Sequence, residues 1–138
     1  MSVSEWISPL IGRWVLAWFF LGAAWERASH WNATVQLMAL KDIPAPAPLL
    51  ALGLIVMVLG GLSLVFGYHT RHAAMVLFGF TAVATVLMHN FWRLHHAADR
   101  AADYRLFAAN AAIAGGLLIL AGLGPGPFAM DNRGTRKA

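Results

Sequence analysis

The fold of this chain is decided by residues 43–67, which read IPAPAPLLALGLIVMVLGGLSLVFG and contain no ionisable side chain. A helix needs about 20 consecutive apolar residues to cross the roughly 30 Å hydrocarbon core of a bilayer. The prolines at the start of the stretch prevent a helix until about Leu49, and Gly67 ends it. The stretch therefore predicts a transmembrane helix.

Three further apolar runs are almost as free of charge. Residues 8–25 contain only Arg13 as an ionisable group, residues 73–92 contain only His89, and residues 106–130 contain none. Each run is long enough to cross a bilayer, and none alternates with the period of two that an outer-membrane strand would show. The sequence therefore predicts four transmembrane helices.

The connections between the second, third and fourth runs are short, which favours an antiparallel arrangement of neighbouring helices. We predict an all-α integral membrane protein, a four-helix antiparallel bundle with a single membrane domain over residues 1–131. A short charged tail is predicted over residues 132–138. The predicted helices span about 9–26, 48–66, 73–93 and 105–123.

The composition excludes several other classes of protein. Charged residues make up 12% of the chain, against about 25% in soluble proteins, so there are too few to cover a soluble fold. The absence of cysteine excludes disulfide staples and thiolate metal sites. The ten Lys and Arg residues flank the apolar runs and form no basic stripe, so nucleic acid is excluded as a partner and the lipid bilayer is favoured.

The long connection between the first two helices carries its own pattern. Trp31, Val35 and Met38 recur at helical spacing, and polar residues lie mostly elsewhere around the helix. This pattern predicts a short amphipathic helix that lies in the membrane interface, with Trp31 at headgroup depth. A helix that docks a protein partner is the alternative.

Polar side chains collect near one membrane surface. Glu26 and His30 end the first helix, His89 lies near the end of the third, and Asn110 lies in the first turns of the fourth. A titratable group inside a span is costly and is a functional-site hypothesis by default. We therefore predict a polar pocket formed by these four residues, with Thr81 and Thr85 on the same helical stripe as His89.

Two interpretations of His89 stay open. In the first, it hydrogen-bonds Thr85 or Asn110 and locks the third helix to the fourth. In the second, it binds a quinone carbonyl or relays a proton, with Glu26 nearby. A bis-histidine haem is disfavoured because only His30 could partner His89, and no metal site is predicted. No pair of nucleophile and base is recognisable, so no catalytic residue is assigned and independent enzymatic activity is not expected.

At the other membrane surface, two residues suggest a structural contact. Arg13 lies near the start of the first helix, and Asp131 lies just beyond the fourth. We predict that they pair and hold the ends of the bundle together in a low-dielectric setting. Asp99 and Asp103, in contrast, are expected to be solvated charges in the loop before the fourth helix.

Several short motifs together resemble the DoxX-like membrane family. They are Arg13, FLG at 20–22, GGL at 60–62, GYHTR at 67–71, HNFW at 89–92, NAAIAGG at 110–116 and GPGPFAMD at 124–131. The resemblance implies a multi-pass protein of the bacterial inner membrane. The namesake of the family is a membrane subunit of a thiosulfate:quinone oxidoreductase, and relatives are linked to redox homeostasis. Trp25 and Met57 stand where family members commonly carry a lysine and a glutamate.

The leading hypothesis is a quinone-associated or redox-linked accessory membrane protein without catalysis of its own. It implies a membrane or redox protein as partner and leaves a homo-oligomer open. The alternative is a structural or assembly subunit that docks a larger membrane complex. A small-solute carrier is disfavoured because few polar groups line the spans.

Overall fold

The computed structural model describes residues 2–133, and this part of the chain forms five α-helices and two 3₁₀ turns. The helices are α1 (Val3–Ser29), α2 (Trp31–Leu40), α3 (Pro46–Phe66), α4 (Thr70–Met88) and α5 (Ala97–Leu123). The 3₁₀ turns are Phe91–Arg93 and Met130–Asn132. Most of the predicted charged tail, residues 134–138, lies outside the described residues.

Four segments are long and apolar enough to cross a membrane, namely α1, α3, α5 and the segment Thr70–Arg93 that contains α4. α3 packs against both α1 and α4, α4 packs against α5, and a smaller contact between α1 and α5 closes the bundle. The predicted all-helical architecture with four membrane spans is therefore confirmed. The short connections between α3 and α4 and between α4 and α5 join helices that pack against each other, as expected.

The bundle has a small interior and an apolar exterior. Phe20, Leu64, Leu77 and Leu117 are buried in its core. Large apolar side chains such as Trp18 are exposed on its outside. A soluble protein would expose polar side chains there, whereas a membrane protein presents this surface to lipid.

Two glycines let α3 approach its neighbours closely. A Cβ atom on Gly60 would lie 2.7 Å from the side chain of Leu77 on α4, and one on Gly61 would lie 2.8 Å from Leu21 on α1. Small residues are favoured at such contacts because helices in lipid associate through close packing. The sequence-based interpretation of this glycine pair as a packing surface agrees with these distances.

The predicted short helix between the first two spans is confirmed as α2. It follows α1 after the single residue His30 and contacts both α1 and α3. None of the residues of α2, all of which the structure describes, is fully buried. A helix that packs this lightly on the bundle suits a position at the membrane surface.

Several helix ends differ from the predicted ones. α1 begins at Val3 rather than near residue 9, because Ser2 and Glu5 form a reciprocal capping box. α3 begins at Pro46, since a proline in the first helical turn loses no hydrogen bond. α5 begins at Ala97 rather than near residue 105, because a helix rich in alanine continues beyond the bilayer.

The end of α4 differs as well, and this difference bears on the candidate site. The helix ends at Met88, not near residue 93. His89 leaves the helical conformation with φ −120° and ψ 55°, although its backbone N–H still donates to the Thr85 carbonyl. His89 therefore lies at a helix end and not in the middle of a continuous span.

Candidate functional site

A cavity of about 420 Å³ lies inside the bundle, in the half that is remote from the turn between α3 and α4. Its walls come from the second half of α1, the first half of α3 and the second half of α4. Thr34 and Met38 of α2, Ile43 of the following loop and Asn110 of α5 complete the lining. The volume lies within the roughly 300–1,000 Å³ that is typical of small-molecule sites.

Most of the lining is apolar, with aromatic side chains from two helices. Phe19 and Phe20 come from α1, Met57 from α3 and Phe80 from α4. Such walls exclude water and favour an apolar guest. The polar groups that do reach the cavity are therefore few, and each has a strong influence on what could bind there.

Two of these polar groups are the hydroxyls of Thr81 and Thr85. The side chains lie one helical turn apart on the same face of α4, and the residues are 5% and 6% exposed. Neither Oγ1 atom has a hydrogen-bond partner among residues 2–133. A buried hydroxyl without a partner costs about 1–3 kcal/mol, so these two groups retain unused hydrogen-bonding capacity in the wall of the cavity.

His89, a residue of the predicted polar pocket, also lines the cavity. Its side-chain partner is neither Thr85 nor Asn110: His89 Nδ1 lies 2.9 Å from Asp103 Oδ1 on α5. The expectation that Asp103 is a solvated loop charge is wrong, because its side chain is 13% exposed and its Oδ2 is buried. The contact joins the end of α4 to the extended first turns of α5.

The other predicted pocket residues divide into two groups. Asn110 lines the cavity, whereas Glu26 and His30 are exposed and are not part of its lining. His30 instead places Nδ1 3.0 Å from the Glu26 carbonyl oxygen. The prediction grouped these residues because they lie at a similar depth in the membrane. Depth does not determine the direction in which a side chain points around its helix.

Arg27 is a cavity residue that the sequence analysis missed. It follows Glu26 directly, but a step of about 100° around the helix turns it toward the lining. Its Nη1 donates to the Ala23 carbonyl at 3.1 Å. The signal that could have found it is helical spacing, since Phe20, Ala23 and Arg27 recur at intervals of three and four.

The opposite end of the bundle holds a second group of polar residues. Arg13, Gly67, Arg71, Phe128 and Asp131 form what we call the Arg13 cluster. Arg13 is buried within the membrane span of α1, and its Nη2 donates to the Phe128 carbonyl at 2.5 Å. Its guanidinium packs directly on Gly67, where an added Cβ would clash with Nη1. This glycine also has a φ of +66°, which other residues adopt only at a cost.

Asp131 caps α4 from a distant part of the chain. Its Oδ1 accepts from the His69 backbone N–H at 2.6 Å, and its Oδ2 accepts from the Thr70 N–H at 2.9 Å. Burial opposes ionisation, but the hydrogen bonds from Thr70 and His69 and the charge of His69 outweigh it. The pKa of Asp131 therefore lies below its ordinary value of 3.8. A negative charge at a helix N-terminus is favourable.

The predicted pair of Arg13 and Asp131 thus takes a different form. Among residues 2–133 the two side chains form no ion pair within 4.0 Å, although the Asp131 charge acts on Arg13. Each side chain binds the backbone instead. Arg13 donates to the Phe128 carbonyl, and Asp131 accepts from the Thr70 N–H. The Asp131 backbone N–H also donates to the Gly67 carbonyl at 2.9 Å.

Arg71 completes the cluster from the first turn of α4. Its guanidinium donates to the carbonyls of Ala121, Gly122 and Leu123, the last residues of α5. These carbonyls have no partner within their own helix, so a cation there satisfies them. The cluster therefore joins the start of α4 and the end of α5 to the first half of α1.

The sequence motifs 67–71 and 124–131 meet in this cluster. The DoxX family model matches residues 8–90, more than half of the chain. The chain belongs to the DoxX family. The matched range includes Arg13, Gly67 and Arg71 of the cluster and ends just after His89. The predicted resemblance is therefore confirmed.

Two curated relatives extend the similarity beyond that range. Inner membrane protein YqjF of Escherichia coli (strain K12) is 28% identical over 137 residues, which covers 99% of each chain. Inner membrane protein YphA of the same strain is 30% identical over 127 residues, 90% of this chain and 88% of the relative. No solved structure matches. With its four spans, this DoxX-family chain is a multi-pass protein of the inner membrane, as predicted.

Proposed function

We propose that this DoxX-family protein binds a quinone in the cavity and serves as a redox-linked accessory protein of the inner membrane. The observation that carries the proposal is an apolar cavity lined by Thr81 and Thr85, whose buried hydroxyls have no hydrogen-bond partner among residues 2–133. A quinone has an apolar ring and two carbonyl oxygens that accept hydrogen bonds. Its chemistry therefore matches both the walls of the cavity and the groups that lack partners.

The hydrogen-bond donors of the cavity suit the oxidised ligand. Threonine hydroxyls, the Asn110 amide and the Arg27 guanidinium all donate, and a quinone carbonyl can only accept. In a water-excluded site, each such bond is stronger than it would be at the surface. Binding would also remove the cost of leaving the threonine hydroxyls without partners.

The contact between His89 and Asp103 suits the reduced ligand. When the Asp103 carboxylate accepts a hydrogen bond from His89 Nδ1–H, Nε2 of the imidazole is left as an acceptor. A quinol hydroxyl is a donor and matches that acceptor. The site would thus hold either redox form, with the threonines serving the carbonyl form and His89 serving the hydroxyl form.

The accessory role follows from the chemistry available in the chain. It contains no cysteine, so no thiol can exchange electrons with the quinone. We assign electron transfer to a partner protein in the membrane, with this chain holding or delivering the quinone. No residue is assigned a catalytic role of its own.

A second function, assembly of a larger membrane complex, is favoured by one observation on α2. Leu37 and Leu40 are exposed on this lightly packed helix, and such a surface can dock another membrane protein. Replacement of Leu40 with Asp would then release a co-purified partner and leave quinone binding unchanged. Loss of quinone with an intact complex would favour the first function.

The proposal is tested by quinone binding to the purified protein in lipid nanodiscs, with a benzoquinone that carries a long alkyl tail as the probe. His89→Ala should weaken binding about tenfold, which is the loss of roughly 1.4 kcal/mol. His95→Ala is the matched control, because His95 is exposed and lies outside the cavity. If His89→Ala lowers only the unfolding temperature and binds the probe as wild type does, His89 is a structural residue and the proposed site is wrong.

A further inference from the structure

The wall of the cavity between α3 and α4 differs from the rest of its lining. Leu49 and Leu52 of α3 and Val83 and Leu87 of α4 line the cavity, yet each is exposed on the outside of the bundle. On α1, by contrast, the lining residue Phe20 is fully buried. A residue that faces both the cavity and the exterior marks an opening. The cavity therefore opens sideways, between α3 and α4.

The same two helices are tightly packed at one level and separated at another. Near the turn that joins them, a Cβ on Gly60 would lie 2.7 Å from Leu77. Toward the cavity, a Cβ on Gly79 would have no atom within 4 Å. Phe80 of α4 lies 3.1 Å from the Cβ position of Gly53 on α3, and both residues line the cavity, so this ring bridges the two helices beside the gap. The gap is thus confined to the half of α3 and α4 that encloses the cavity.

The two faces of α4 have opposite chemistry at this level. Gly79, Val83 and Leu87 recur every four residues on the outer side of the gap, while Thr81 and Thr85 are buried on the inner side. The border of the gap carries no charged or polar side chain from either helix among these residues. Thr34 and Met38 of α2 lie across the end of the cavity that faces the membrane surface.

We infer that the ligand enters the cavity sideways from the bilayer, through the gap between α3 and α4, and that its tail remains in this gap. The inference rests on the proposed function and specifies the ligand as a tailed, lipid-soluble quinone. The polar head reaches the threonines and His89, and the apolar tail lies between Leu52 and Val83. A polar molecule without a tail would have no reason to take this route.

A bulky residue in the gap tests the route. Val83→Trp fills the gap, and Val76→Trp is its matched control, because Val76 lies on the same exposed face of α4 but does not line the cavity. The two valines are 62% and 57% exposed. Two probes are used in nanodiscs: a benzoquinone with a long alkyl tail and the same head without a tail. Val83→Trp should weaken binding of the tailed probe about tenfold and change binding of the tailless probe by less than about twofold.

A labelling experiment on the wild-type protein keeps the inference testable even if Val83→Trp does not fold. A quinone with a photoreactive diazirine on its tail should label peptides of α3 and α4 around Leu52 and Val83. Label found instead on α1 or α5 would overturn the lateral route. So would equal weakening of both probes by Val83→Trp, since that result would mean a damaged cavity.

The failure of the route and the failure of the proposed function have different signatures. If Val83→Trp binds the tailed probe as wild type does while Thr85→Val loses it, the cavity binds quinone but the route is wrong. If neither probe binds the wild-type protein, the quinone function is wrong and the route falls with it.

Discussion

The two ends of the bundle use their polar side chains in opposite ways. In the Arg13 cluster, Asp131 and Arg71 bind backbone groups at the ends of α4 and α5, and Arg13 binds the Phe128 carbonyl. In the cavity, the hydroxyls of Thr81 and Thr85 have no partner among residues 2–133. Both regions lie in or near a low-dielectric environment, where a polar group without a partner is costly.

The difference indicates which end is structural and which is available for binding. Polar groups that satisfy the backbone at helix ends stabilise the bundle, even though a surface cavity of about 560 Å³ borders Thr70, Arg71 and Asp131. Arg13 Nε and Nη1 are also buried without a partner among residues 2–133, but they belong to a side chain that already binds the Phe128 carbonyl, whereas the hydroxyls of Thr81 and Thr85 make no such contact. The cluster therefore explains why the motifs 67–71 and 124–131 matter for the fold, and the cavity explains where a function can reside.

The largest expected effect is at Gly67. Gly67→Ala would place a Cβ in contact with Arg13 and Ala129 at a backbone φ of +66°. Overpacking costs about 1–3 kcal/mol, and a left-handed conformation costs a further 1–2 kcal/mol or so. We expect a loss of about 2–5 kcal/mol in the free energy of unfolding, measured by SDS titration in detergent micelles.

Gly79→Ala is the matched control at the cavity end. A Cβ there meets no atom within 4 Å, so the substitution should change the free energy of unfolding by no more than about 1 kcal/mol, in the stabilising direction. Equal stability of Gly67→Ala and Gly79→Ala would show that the Arg13 cluster is not tightly packed.

An intermediate effect is expected at Asp131. Asp131→Asn keeps an acceptor oxygen but removes the charge at the start of α4, which should cost about 1–2 kcal/mol at neutral pH. Because the folded-state pKa lies below the ordinary 3.8, the carboxylate contributes its stability above that pH. The contribution is lost as the pH falls through the folded-state pKa.

The measurement is the unfolding temperature in detergent from neutral pH down to below pH ~3. The wild-type protein should lose more stability on acidification below about pH 4 than Asp131→Asn does. Parallel curves for the two proteins would mean that Asp131 does not cap α4 in its ionised form.

The smallest effect, and one of opposite sign, is expected in the cavity. Thr85→Val keeps the shape of the side chain and removes a buried hydroxyl that lacks a partner. The ligand-free protein should gain about 0.5–1 kcal/mol in the free energy of unfolding, in line with the modest hydrogen-bond energies found in membrane bundles. The tailed quinone should stabilise Thr85→Val less than it stabilises the wild-type protein.

Thr70→Val provides a comparison beside the Arg13 cluster, since Thr70 is also a buried threonine of α4 but does not line the cavity. It should not alter the response to quinone. A loss of that response in Thr70→Val, or its persistence in Thr85→Val, would remove the distinction between the two ends of the bundle.

The sequence by itself determined the membrane spans and the family. Residues 43–67 and the other charge-free runs predict spans because the thickness of the bilayer sets the required length and penalises charge inside it. The pattern of Trp31, Val35 and Met38 likewise predicted α2. These signals are local, so no knowledge of the packing is needed to read them.

Only the tertiary structure decided which polar groups meet. Asp103 binds His89 because α5 begins at Ala97 and carries that carboxylate up to the end of α4. Arg27 rather than Glu26 faces the cavity, and Asp131 binds the start of α4 rather than the Arg13 side chain. Depth in the membrane can be inferred from chain position, but such contacts depend on the rotation of each helix about its axis. That rotation is set by packing between residues that are not neighbours in the chain, such as the contact of Leu77 on α4 with Gly60 on α3.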